Sequence, residues 1–406
     1  ATTEIYTLSL HDALPILTST QAPHEVQKEI AGLFGVDMGK VRVTAPLAGG
    51  GFGGKAGADL EILAVLASRA VGGRAVRVVN DREEDIAASP CGIGAEVTVR
   101  LGADETGKFQ ALEMRVLVDT GAYADMGPRI ARAILADCTG PYNIEHVYCE
   151  CATVYTNHTY ATSLRGFGHM TATFCIERTV DKLAGRLGRD PADVRAQNLI
   201  RPGDSAPTCY PITESALGNP QACLEAIKKL IRWGEGRVRR EGPFVYAKGL
   251  GLFWKTSSSP AEAGSSAVLF LNDDGSVTLQ VGCVEIGPAM RTTAAQICAA
   301  ALGMDIDRVH VSIEADTFGA PRHWKTVASM TTFLLGRAIL RAAEDAKTQL
   351  KNLAAVAMRC SVEDLEVSGG QVWRKSDPGQ FLDFRDIAQG YSYDNGNTVG
   401  GRYRTN

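Results

Sequence analysis

The reading of this chain turns on Gly49-Gly50-Gly51-Phe52-Gly53-Gly54-Lys55. Five glycines around one phenylalanine leave a backbone almost bare of Cβ atoms. Such a loop can take positive φ and bring its N–H groups against a ligand. Ahead of it, residues 40–45 (KVRVTA) read as a short strand. Behind it, Leu60, Leu63, Ala64, Leu66 and Ala67 recur at helical spacing. Strand, glycine loop and helix make an anion-cradling context, to which a helix N-terminus adds partial positive charge. Gly49 to Lys55 fits the spacing of a P-loop, but Ala56 stands where Ser or Thr would hold Mg²⁺. Gly49-x-Gly51-x-x-Gly54 also fits a dinucleotide fingerprint, with a strand expected over 75–79 and Asp81 near its end. A plain tight turn between strand and helix is the simplest reading of all.

Outward from the loop, the composition narrows the classes. The chain has 406 residues, 45% hydrophobic and 22% charged, with net charge −4. That is enough for two or three domains with sizeable cores, and it carries no nucleic-acid footprint. No apolar run approaches the roughly 18–20 residues of a membrane helix. Ten cysteines include Cys149-x-Cys151 but no C-x-x-C, so no zinc or iron–sulfur framework is expected, and a reduced, cytoplasmic state is. Residues 1–16 (ATTEIYTLSLHDALPI) look unlike the rest and are set aside as a non-native leader. The chain is expected to be a piece of a longer protein, inactive alone, poorly soluble or with a large apolar face open.

In order, Pro23 opens a helix over 24–34 with Val26, Ile30 and Leu33 on one face, closed by Gly35. Strands are expected over 75–79, 94–101 and 109–118, with a solvated charged turn at 81–85. A helix over 129–135 and a strand over 147–155 lead to the second glycine feature, Leu164-Arg165-Gly166-Phe167-Gly168-His169. It opens a helix over 171–187 with Phe174, Ile176, Val180, Leu183 and Ala184 apolar. An oxyanion would be favoured there, although a packed turn is equally consistent. His169 reads as a capping or packing residue, since no second ligand lies at metal spacing. Residues 204–242 read as an interdomain connection containing a helix over 221–233. Further strands are expected over 247–254, 265–271, 277–281 and 309–313, and helices over 290–302 and from 326 to 353. The second of these starts in the hydroxyl-rich Thr326-Val327-Ala328-Ser329-Met330-Thr331-Thr332, a phosphate seat or an ordinary N-cap.

These pieces, in this order, resemble the molybdenum-binding large subunit of the xanthine dehydrogenase/aldehyde oxidase family. The resemblance rests on Ser19-Thr20-Gln21 with residues 49–55, on 164–168, on Glu285-Ile286-Gly287 with Gln296, and on 326–338. It implies an α+β fold of two elongated mixed domains. These are expected over 18–204 and, incomplete, over 246–406, joined by a connection over 205–245. It implies a molybdenum–molybdopterin cofactor, the cytosine dinucleotide being one form, with [2Fe-2S] and FAD groups on partner subunits. By resemblance, Gln21 bonds an oxygen on molybdenum, Phe52 and Gly53 wall the cofactor, and Arg165 holds it near the pterin. Ala328, Ser329 and Thr331 bind the pterin or its phosphate. Phe167 and Trp254 flank the substrate, and Ala56 replaces a glutamate that contacts purines in xanthine dehydrogenases. The implied activity is oxidation of a C–H of an aromatic N-heterocycle or aldehyde, with water as oxygen source. Two departures stand out. Gly287-Pro288-Ala289 replaces the usual Gly-Gln-Gly, and the glutamate that serves as general base is expected beyond position 406.

Overall fold

The computed structural model describes residues 14–256, 260–312, 315–395 and 397–399. The chain packs as two units, Ala1–Arg82 with Ser259–Asn406, and Glu83–Ser258. This division differs from the one expected at 205–245. That stretch packs into the second unit, where Leu224 and Trp233 are buried in the core.

The first unit opens with β1 (Leu14–Leu17), parallel to β2 (Val41–Ala45). Ile16 lies opposite Val43 and both are buried, so residues 14–16, set aside as leader, belong to a core. A four-residue strand containing Pro15 carries too little alternation to be read from sequence. Between the two strands, α1 (Pro23–Phe34) has Pro at its first turn and stops at Gly35, whose φ of +64° suits glycine. Val26 and Ile30 are buried, but Leu33 is 60% exposed. α2 (Leu60–Ala70) follows the glycine loop and buries Ala64 and Val65 on the same core, leaving Leu63 and Leu66 exposed. Residues 75–79 form no strand; Val76 and Val78 pack on that core instead. The expected charged turn is α3 (Arg82–Ala88), exposed as foreseen but helical, with Glu83, Glu84 and Asp85 complementing its N-terminal dipole.

In the second unit, β3 (Gly94–Ala103) pairs antiparallel with β4 (Phe109–Asp119), and β5 (His146–Val154) pairs parallel with β4. Alternate residues of β4 (Leu112, Met114, Val116 and Val118) are buried, the period of a strand with one covered face. The cover comes from α4 (Gly127–Ala136) and α5 (His169–Leu187), through Ile130, Ile134, Ile176 and Val180. Phe174, expected on that face of α5, is 68% exposed. α6 (Pro191–Asn198) is capped by Asp190, whose carboxylate accepts from Ala192 N. After α7 (Glu214–Leu217) and α8 (Pro220–Leu230) the basic run forms β6 (Val238–Glu241), hairpinned to β7 (Phe244–Ala247). The strand expected over 247–254 ends at Ala247.

The chain then returns to the first unit. β8 (Ala267–Leu271) and β9 (Val277–Val281) are antiparallel, and β10 (Val309–Val311) joins β9 in parallel. Residue 313, the expected end of that last strand, lies outside the described residues. α9 (Met290–Leu302) and α10 (Met330–Met358) bury Ala294, Cys298, Leu335 and Ile339 on this sheet. β11 (Ala315–Asp316) adds antiparallel to β2, tying the returning chain to the N-terminal strands. β12 (Leu365–Ser368), β13 (Gln371–Arg374) and β14 (Asp377–Asp383) complete an antiparallel sheet. The architecture is the mixed α/β type expected.

Candidate cofactor-binding site

In the first unit the glycine loop is built around Gln21. Its backbone N–H donates to the Lys55 carbonyl (3.0 Å), and its carbonyl accepts from Thr326 N (2.9 Å). Its side-chain Nε2 donates to the Thr326 carbonyl (2.9 Å), while Oε1 accepts from Gly53 N (3.1 Å). A Cβ at position 51 would sit 2.4 Å from Oε1, so only glycine permits the loop to wrap this amide. Thr20 Oγ1 also donates to the Lys55 carbonyl (3.1 Å), and Lys325 Nζ donates to the Ala56 carbonyl (3.0 Å). Four segments distant in sequence meet here, because Thr326 Oγ1 accepts from Val284 N and Ala48 N donates to the Glu285 carbonyl.

The hydroxyl-rich stretch before α10 is not an ordinary N-cap. Ser329 makes no capping bond, and Thr331 Oγ1 accepts from Val327 N (2.7 Å) and donates to its carbonyl (3.0 Å). That hook holds Ala328 at φ +50° and leaves Ala328 and Ser329 exposed. Glu285 caps the turn into α9, accepting from Gly287 N, Ala289 N and Arg291 N. Its carboxylate satisfies the loop in which Pro288 and Ala289 replace the family's glutamine and glycine. Gln296 is exposed on α9.

In the second unit Phe167 has φ +48° and is half-buried against the core, and Arg165 beside it is exposed. A Cβ at position 168 would press on Ile130 and Ile134 at 2.8–2.9 Å. Just after it, buried His169 places Nδ1 2.6 Å from Asp137 Oδ2. Asp137 also accepts from Thr256 N (2.8 Å) and from the Thr256 hydroxyl. Burial pushes the Asp137 carboxyl up, and the contacts from His169 and Thr256 more than offset this, holding it below the usual range. Glu177 on α5 accepts from Leu252 N (2.9 Å) and from Arg195 Nε (2.8 Å). Asp137 and Glu177 therefore hold residues 252–256 from both ends, and Trp254 lies between the two holds. Its indole Nε1 is buried without a hydrogen-bond partner among the described residues.

Positive φ at Phe52, Phe167, Ala289 and Ala328 marks the four loops singled out in sequence. For residues with a Cβ this conformation costs about 1–3 kcal/mol each, and it clusters at ligand-binding loops. The dinucleotide reading of residues 49–54 fails on topology, since no strand forms at 75–79 and β2 is flanked by β1 and β11. The structure brings Gln21, Gly53, Ala56 and the stretch before Thr331 together in one unit; in the other, Phe167 packs on the core, Arg165 is exposed beside it, and Trp254 lies on the separately held segment 252–256. Sequence reading missed the positioning set Asp137, Glu177 and Thr256, and underrated His169. Their separations of up to 119 residues leave no local signal.

Two family profiles, each described as a molybdopterin cofactor-binding domain, match residues 5–199 and 226–405. The chain belongs to the molybdopterin-binding large subunits of the xanthine dehydrogenase/CO dehydrogenase family. It is 29% identical over 392 residues to the xanthine dehydrogenase molybdenum-binding subunit of Escherichia coli O157:H7, covering 94% of this chain and 51% of that protein. It is 30% identical to the carbon monoxide dehydrogenase large chain of Hydrogenophaga pseudoflava, covering 91% of this chain and 48% of that one. Its fold matches quinoline 2-oxidoreductase from Pseudomonas putida 86 with a TM-score of 0.78 at 23% identity, over 95% of this chain and 52% of that one. The chain thus spans about half the length of the relatives it matches.

The residues present fit a molybdopterin. Gln21 Nε2 uses one of its two hydrogens on Thr326, so one amide hydrogen remains for a ligand. The glycine loop and the exposed turn at 328–329 present backbone rather than bulk. No helix among the described residues is long and apolar enough to cross a membrane.

Proposed function

We propose that this chain is the molybdopterin-binding part of a hydroxylase acting on an aromatic N-heterocycle or an aromatic aldehyde. When bound, the molybdenum centre supplies a Lewis acid and accepts the two electrons of the oxidation. In the first unit Gln21 offers its free amide hydrogen to the centre, Gly53 and Phe52 line it, and Ala328 and Ser329 face the pterin or its phosphate on the turn that Thr331 holds; Arg165 is given a pterin contact by resemblance alone. Plain molybdopterin and its cytosine dinucleotide form both suit such a backbone-lined seat. By resemblance, [2Fe-2S] and FAD groups on partner subunits would take up the electrons, and a glutamate would serve as base.

The single observation that carries the substrate class is Trp254. Its flat, half-buried ring sits on a segment fixed at both ends, and Phe167 is a second half-buried aromatic of the same unit. An aromatic substrate can stack on such a flat face. Ala56 argues against a purine, because its methyl cannot pair with a ring N–H and its carbonyl already accepts from Lys325. Leaving a buried polar group of the purine unpaired costs about 1–3 kcal/mol. The test is kcat/KM of the full-length complex for hypoxanthine, quinoline-type heterocycles and benzaldehyde-type aldehydes. The heterocycle or aldehyde is expected to win by about tenfold or more. A hypoxanthine preference of that size would refute the assignment.

A further inference from the structure

A cavity of about 240 Å³ opens in the second unit, between the C-terminal half of α5, the start of α6 and the segment around Trp233. Three cations line it: Arg189, Arg237 and Lys248. None of the three has a carboxylate partner among the described residues. Arg189 donates to the Thr106 carbonyl and to Gln197 Oε1 (2.6 Å). Lys248 Nζ donates to the Arg232 carbonyl (2.6 Å), and the Arg237 guanidinium rests on the Trp233 ring, 5.7 Å from its centroid. The acids nearby are spoken for. Asp181, which also lines the cavity, is bridged by Arg195 (2.9 Å) and Arg178 (3.6 Å). Asp190 accepts from Trp233 Nε1 (3.0 Å) and from Ala192 N. The cavity therefore carries an uncompensated positive charge on a frame whose own hydrogen bonds are already made.

We propose that this cavity binds a small phosphate dianion, either inorganic phosphate or a short phosphate monoester. Two guanidinium forks and one ammonium match a doubly charged tetrahedral oxyanion better than a single carboxylate. The volume lies below the roughly 300 Å³ at which drug-sized pockets begin, which leaves room for a phosphate with a short stem and excludes a nucleotide or a polymer. Trp233 is buried beneath Arg237 and holds that guanidinium in place, so the site is partly preorganised.

Calorimetric titration of the full chain with inorganic phosphate, glycerol 3-phosphate and acetate tests this. Saturable binding of one or both phosphates below about 10 mM is expected, with acetate much weaker. Which phosphate binds tighter identifies the source. Arg237→Gln and Lys248→Gln should each weaken binding about tenfold, since each removes a charge-assisted bond. Arg100→Gln, on exposed β3, should leave it unchanged, with circular dichroism confirming that all three variants fold. No saturable binding, acetate binding as tightly as phosphate, or phosphate binding that survives both cavity variants would overturn the proposal.

Discussion

Gln21 decides more than any other single residue. Its side chain accepts from Gly53 N and donates to the Thr326 carbonyl, so Gln21→Ala leaves two inward-facing backbone groups unpaired. Each costs about 1–3 kcal/mol. The variant is expected to melt several degrees lower and to retain less pterin, read by a thermal scan and by fluorescence of released pterin. Unchanged melting and pterin content would show that the loop does not depend on this amide. The glycine loop was legible in sequence because its composition is extreme, and Gln21 was placed by its resemblance to a motif. That the amide staples residue 53 to residue 326 was not legible, because a bond across 305 positions leaves no periodic trace. The Asp137 and Glu177 holds on residues 252–256 were hidden for the same reason.

Among the elements, the turn between β11 and α10 carries a pH dependence. His323 is buried there, with Nδ1 2.9 Å from Ser265 Oγ, and burial pushes its pKa from 6.5 down to about 4. His24 on α1 is lowered by burial as well, against a raising backbone bond from Ala320. His323 stays neutral when folded but takes a proton when unfolded between about 6.5 and 4, and His24 shifts in the same direction. The stability His323 contributes is therefore complete above pH 6.5 and is lost as pH falls to about 4. For His323 alone the loss is on the order of 3 kcal/mol. Urea titrations across this range should show a falling midpoint, and His323→Gln should flatten the fall; an identical slope in the variant would contradict the assignment. Helices were the most readable elements, since their caps and apolar spacing are local. The strands expected at 75–79 and 247–254 fail for want of a neighbour, as alternation reports a pleated chain but not its partner.

For the whole molecule, the order of motifs carried the family while the packing units did not follow the order of the chain. Residues 83–258 are inserted between two stretches that fold together, and β11 pairing with β2 across some 270 positions is what closes the first unit. No composition shift marks that return, and the stretch expected as a linker, where the two matched cofactor-binding domains also part, buries Trp233 in the second unit's core. The glycine loop around Gln21 and the turn at 328–329 are proposed to hold a molybdopterin. Metal and pterin analysis of the complete complex, purified from cells grown with molybdate, tests this most directly. About one molybdenum and one pterin per chain are expected, with the content of both falling in Gln21→Ala. A complex that is folded and fully assembled but contains neither molybdenum nor pterin would contradict it.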